Sequence, residues 1–198
     1  MTAILKVDTI QDTSGNNIIN ESSDTITIGA SGDTISIPSG GKLTAPGHVL
    51  QVIQTVKTDD FSASLATDTV TDITGLSASI TPSSSSNKIL VSYNIMVHTT
   101  SGSGKIQLMR DSTKICINTS TSGFEAQTSM AHNDAVFAMT GTSMSFLDSP
   151  STTSSVTYKP QLSHASGLTK TVYVNTPESP SSRHGRFTSQ ITLMEIKA

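Results

Sequence analysis

The chain has 198 residues, a formal net charge of −3 and 14% charged residues, with no Trp, three Tyr and five Phe. The 12 Lys and Arg are scattered, which excludes the basic face that releases counterions from a nucleic-acid backbone and the polybasic patch that holds an anionic membrane. A single cysteine, Cys116, excludes an intrachain disulfide and a cysteine-built zinc cage.

The apolar start Ala3-Ile4-Leu5 is broken by Lys6 and Asp8, so no secretion signal is expected, and no run reaches the length of a transmembrane helix. Residues 24–40 then read DTITIGASGDTISIPSG, in which the Asp-Thr-Ile-polar-Ile unit at Asp24 recurs at Asp33. Side chains alternate along an extended chain, so this pattern predicts two short strands, with Ile26, Ile28, Ile35 and Ile37 on one side and Thr25, Thr27, Thr34 and Ser36 on the other. Turns are expected over Gly29 to Gly32 and Pro38 to Gly41. Residues 8–47 hold no aromatic side chain, and their large apolar ones are Ile10, Ile18, Ile19, Ile26, Ile28, Ile35, Ile37 and Leu43. That supply is too small to offset the backbone entropy of ordering the segment alone. Ile26, Ile28, Ile35 and Ile37 are therefore the expected core of a stem built with further copies of the chain, as stacked units cover one another in repeat folds. The strict alternation of Ile disfavours the alternative of a disordered Ser/Thr/Gly tail.

Gly40-Gly41 and Ala45-Pro46-Gly47 read as a joint, which ends the stem and linker at residue 47 and starts a head at residue 48. Apolar runs between turn residues predict strands at His48–Lys57, Val70–Ile73, Leu76–Thr81, Lys88–His98, Lys105–Arg110 and Lys114–Asn118, then at Ala135–Thr140, Ser143–Leu147, Ser155–Leu162, Thr171–Asn175 and Arg186–Ile196. Arg110-Asp111-Ser112-Thr113 predicts a tight hairpin. No segment of helical length has a 3.6-residue period, so the head is expected to be all-β. About ten strands exceed the seven of a minimal immunoglobulin sandwich and fit a jelly-roll-like antiparallel β-sandwich better. In the last run Ile191, Leu193 and Glu195 share one side and Met194 and Ile196 the other, so both faces are expected to be covered. Cys116 is expected to be an inert, partly buried thiol.

Four stretches carry a resemblance: ILKVDTIQDTSGNNIIN (Ile4 to Asn20), the repeat at 24–40, ITPSSSSNKILV (Ile80 to Val91), and SFLDSPSTTS with VTYKP between Ser145 and Pro160. Together they resemble short structural proteins of marine bacteriophages, namely the tail-fibre or virion-appendage proteins of phages that infect cyanobacteria and related marine bacteria. The N-terminal phrase is the most specific part. The resemblance implies a homotrimeric fibre in the virion, with residues 1–20 as attachment segment, 21–47 as β-repeat stem and linker, and 48–198 as a head similar to the tumour-necrosis-factor-like jelly roll. It carries no site motif and so assigns no residue a role.

The five histidines, His48, His98, His132, His164 and His184, show no His-x-His or His-x-x-x-His spacing; a metal shared on a threefold axis is the one arrangement left, and no metal or other cofactor is expected. Gly102-Ser103-Gly104-Lys105 has Thr99 and Ile106 where a phosphate loop needs Gly and Ser/Thr, and reads as a turn. No Gly-x-Ser-x-Gly elbow occurs. Asp59, Asp60, Asp134, Asp148 and Glu178 fall in turns instead of at the matched inward positions that a glycoside-cleaving carboxylate pair requires, so no catalytic residue is assigned. Residues 176–186, TPESPSSRHGR, form a proline-stiffened basic loop, and Arg183, His184 and Arg186 are candidate receptor contacts for an anionic lipopolysaccharide. The plain alternative is a solvated connection or a contact with a neighbouring subunit. The expected function is a trimeric tail fibre that joins tail, neck or capsid proteins by its N terminus and meets a host surface glycan or outer-membrane component with its head. A capsid or neck appendage without receptor affinity and a polysaccharide depolymerase are the competing readings.

Overall fold

The computed structural model describes residues 9–15, 17–29, 31–39, 41, 45–99, 102–120, 127–132, 138–180 and 185–198, and every regular element among them is a strand. The chain divides into two compact units, Met1–Thr44 and Ala45–Ala198.

In the first unit β1 (Thr9–Gln11), β2 (Asn17–Ser22) and β3 (Thr25–Ile28) form an antiparallel meander. Ser23 and Asp24, with φ of 49° and 63°, make the two-residue loop between β2 and β3, the left-handed pair that matches the twist of a tight hairpin. Ile10 pairs with Ile19 and Ile19 with Ile28, so three isoleucines stand in one cross-strand row with Ile26 beside them on the same face. That row stays open among the described residues: Ile10, Ile19, Ile28 and Ile26 are 42%, 37%, 54% and 67% exposed. The strand expected in the second repeat copy does not form. Residues 33–38 join no ladder, and Ile35 and Ile37 stay 62% and 46% exposed. Alternation supplies an apolar side but not a neighbouring strand, and residues 33–38 find none among the described residues.

The second unit contains two antiparallel sheets, each four strands wide. In one, β8 (Lys88–Thr99) has β12 (Thr140–Asp148) along one edge. Its other edge is shared by β15 (Ser189–Ile196) and β14 (Lys170–Val174), which are flanked in turn by β4 (Val49–Lys57) and β5 (Phe61–Leu65). In the other, β9 (Ser103–Arg110) and β13 (Val156–His164) are central. Two short strands, β10 (Thr113–Ile115) and β11 (Ser129–His132), divide the outer edge of β9; β6 (Thr71–Asp72) and β7 (Ala78–Ile80) divide that of β13.

Period-two patterning builds the core between the sheets. Ile89, Val91, Tyr93, Ile95 and Val97 of β8 are buried, and they form one cluster with Ile106 and Leu108 of β9, Tyr158 and Leu162 of β13, and Ile191 and Leu193 of β15. Gly102 turns the chain at φ 84°, and a side chain at Gly104 would meet Val97 at 2.9 Å. These two glycines serve the turn and the close approach of the sheets. Asp111, at φ 51°, makes the β9–β10 hairpin.

Several expected bounds shift. The run Lys114–Asn118 stops as a strand at Ile115 because Cys116 takes φ 53°; its thiol packs against the core cluster, and burial pushes its pKa up. The last strand starts at Ser189, not Arg186. Of the run Ala135–Thr140, residues 135–137 lie outside the described residues, and only Thr140 belongs to a strand. Unforeseen strands are β1, β2, β5 and β11.

Candidate functional site

Two breaks in the strands fall side by side. Along β8, β14 pairs with residues 97–99 and β15 with 88–94, and between them the chain leaves the sheet at Asn175 and returns at Ser189. Residues 58–60 interrupt the next rank between β4 and β5. Asn175 bolts the two breaks together. Fully buried and at φ 68°, it donates from Nδ2 to the carbonyls of Lys57 and Asp59, both at 3.0 Å. Its Oδ1 accepts from Ser189 Oγ at 2.7 Å, and Ser189 Oγ accepts in turn from the Met96 amide at 3.1 Å. The Asn175 amide donates to the Met96 carbonyl, and its carbonyl accepts from the Phe187 amide, which closes the base of the 176–188 loop. The β14 pattern reads as an ordinary strand end, so the sequence carries no sign of this node.

Of the candidate contacts on that loop, Arg183 and His184 lie outside the described residues. Arg186 is exposed, and its guanidinium forms an ion pair with Asp60 on the β4–β5 turn. At the end of β4, Lys57 Nζ donates to Asp59 Oδ2 of the turn at 2.8 Å and stands 6.0 Å from the centre of the Phe61 ring; its hydrogen bond holds the Asp59 carboxyl below the usual range. Beside this turn lies an open depression of about 290 Å³. Asp60, Phe61 and Ser62 form one wall, Tyr173 another, and Thr176, Pro177, Glu178 and Pro180 the rim. Tyr173 pairs across the sheet with Ser62, and its ring tilts at 44° against the buried His98 ring, 5.5 Å between centroids. His98 Nδ1 bonds the Ala138 carbonyl at 2.8 Å, while its Nε2 has no partner among the described residues.

The remaining titratable candidates are engaged in structure. Asp148 is buried, takes two bonds from Arg110 Nη1 at 2.9 Å each, and accepts from Tyr158 Oη at 2.6 Å; burial first and this carboxylate second push the tyrosine pKa up. Asp72 accepts from Lys159 and Gln161, both at 2.6 Å, bonds that lower its pKa. Asp134 lies outside the described residues. His164 is buried, with Nε2 bonded to the Leu65 carbonyl at 2.7 Å and Nδ1 accepting from the Ser166 amide at 3.2 Å; these partners fix the ring as the Nε2–H tautomer. No group of three metal-ligating side chains occurs among the described residues. No helix among them is long and apolar enough to cross a membrane.

Glu195 is buried at the inward position its alternation assigns, and no cation pairs with it among the described residues. Its carboxylate accepts instead from Gln51 Nε2 at 2.6 Å, Ser83 N at 2.7 Å, Ser83 Oγ at 2.8 Å and Asn87 Nδ2 at 2.6 Å. Burial raises its pKa, but the bonds from Asn87, Gln51 and Ser83 outweigh that and hold it below the ordinary 4.5.

The two sheets differ in their outward faces. Across β4, β15, β8 and β12 the registers align Val52, Met194, Leu90 and Leu147 in one apolar row, with Val52 54% and Leu147 48% exposed. The next row is Gln54, Thr192, Ser92 and Ser145, and the third Val56, Gln190, Asn94 and Ser143. None of the three rows holds a charge. The outward face of the other sheet carries Asp72, Lys105, Lys114 and Lys159. No protein-family model matches the chain, and no curated protein is significantly similar to it.

Proposed function

We propose that the chain is a virion structural protein of a marine bacteriophage, a homotrimeric tail fibre whose N-terminal segment joins the particle and whose β head meets the host surface. The observation that carries this reading is the uncovered Ile10–Ile19–Ile28 row of the first unit, with Ile26 beside it. A soluble protein does not leave its best apolar side chains in a continuous exposed line unless another surface covers them. Further copies of the same chain supply the matching surface, and residues 33–38, which lack a ladder, supply further strand for it. The charge-free outward rows of the β4, β15, β8 and β12 face support association of the heads as well. Ile26, Ile28, Ile35 and Ile37 are the stem core in this assembly.

A jelly-roll head is the finer fold reading. The chain runs β4 and β5 in one sheet, β6 and β7 in the other, returns for β8, crosses for β9 to β11, and then alternates through β12, β13 and finally β14 with β15. Such crossing between two four-strand-wide sheets supports a jelly roll. Immunogold labelling of particles with an antibody to the full chain tests the function. Gold at the tail is the expected result. Gold on the capsid or neck would favour a decorating appendage, and unlabelled particles would remove the virion reading altogether.

A further inference from the structure

We propose that three heads meet around a common axis through the outward face of β4, β15, β8 and β12, with Val52 at one margin of the face packed against Leu147 at the opposite margin of the next copy. This deepens, and rests on, the homotrimer reading above. A closed ring of three needs two different patches in contact, because a patch that meets only itself closes at two copies. The face provides both patches. Val52 on β4 and Leu147 on β12 are its most exposed large apolar side chains, and they stand at opposite ends of one row with Met194 and Leu90 half-buried between them.

Strand spacing sets the fit. Four strands about 4.8 Å apart span about 14 Å; copies whose margins also lie about 4.8 Å apart enclose a triangular prism about 24 Å on a side, with its axis about 7 Å from each sheet. Two stacked sheets stand about 10 Å apart, or 5 Å each from their midplane, so a threefold core asks for slightly longer side chains at its centre. The central strands β15 and β8 carry Met194 and Leu90 in one row and Gln190 and Asn94 in another. Burial of the middle row is eased because its polar groups already bond within the face: Gln54 Nε2 donates to Thr192 Oγ1 at 2.9 Å, and the Ser92 and Ser145 hydroxyls lie 3.0 Å apart. Beyond the apolar row the first charge along β8 is Lys88, at the rim, where its Nζ donates to Ser149 Oγ at 2.9 Å. The charged face of the other sheet is left outside, in water.

Three rows about 7 Å apart make a flat patch of about 400 Å² per head, half of the roughly 800 Å² that each partner gives a standard interface. The heads therefore depend on the stem to stay together, and the full chain is the material to test. A disulfide forms only where Cα atoms approach to about 4.4–6.8 Å, which the proposed margin contact allows. Mild oxidation of the Val52→Cys, Leu147→Cys double variant is expected to give a covalent species of three chains on denaturing gels, whereas each single variant, which keeps Cys116, stays a single chain. Both substitutions fall at exposed positions and leave the buried side of each strand intact. A double variant that is trimeric by native mass spectrometry yet does not crosslink would overturn the margin contact and leave the homotrimer standing. Crosslinking that stops at two chains would remove both. A single variant that crosslinks as fully as the double would show like margins meeting, and would overturn the threefold arrangement of the heads.

Discussion

Asn175 does more than any other single residue to shape the loop surface. Left-handed backbone is tolerated by asparagine better than by most residues, and both ends of this side chain are bonded. Asn175→Ala leaves the buried Lys57 carbonyl, the Asp59 carbonyl and a serine hydroxyl short of partners and is expected to destabilise the head by about 2–4 kcal/mol, read as a lower urea midpoint at unchanged slope. Asn175→Gly relieves the backbone but not the bonds, so nearly the same loss is expected. Glu195 gives a second, pH-dependent test. Its folded pKa is below the unfolded value, so its contribution is fully present above the ordinary glutamate range and is lost as pH falls through the lowered folded value. Unfolding free energy followed from pH 6 downwards is expected to fall less steeply in Glu195→Gln than in wild type; parallel curves would show that the Gln51–Ser83–Asn87 donors do not hold the charge. The inward side of Glu195 was legible from alternation with Ile191 and Leu193. Its four donors were not, because Gln51, Ser83 and Asn87 are distant in sequence and polar residues carry no periodic signal.

Strands were legible where burial writes a period of two. The β8 run from Ile89 to Val97 and the β13 run from Val156 to Leu162 are buried at alternate positions, and both were anticipated within two residues at each end. β11 reads SMAH and exists only because β9 offers an edge, so local sequence gave it no mark. The nine-residue repeat shows the converse. Its two copies share a pattern, yet only the first is a strand: β2 pairs with it, whereas residues 33–38 pair with no strand among the described residues. If sister copies complete that ladder, Ile28→Asp and Ile35→Asp should each weaken self-association by about tenfold or more, measured by sedimentation equilibrium, with the head's thermal transition unchanged. Association untouched by both substitutions would take the stem out of the interface.

At the scale of the whole molecule, the two outward faces of the head and the isoleucine row of the first unit point the same way. One face is charged and suited to water; the other presents Val52, Met194, Leu90 and Leu147 in a line without a charge in the two rows beyond it. Leu147→Asp places a charge at the exposed end of that line, on the face of β12 opposite to the core-facing Phe146 and Asp148, and should separate the heads while preserving the all-β spectrum. The central claim is that this chain completes its interior with copies of itself. Native mass spectrometry of the full chain at low micromolar concentration tests it most directly: a single species of three times the 20.7 kDa chain mass is the predicted result. A monomer whose stem amides are nonetheless protected from hydrogen exchange would contradict the account.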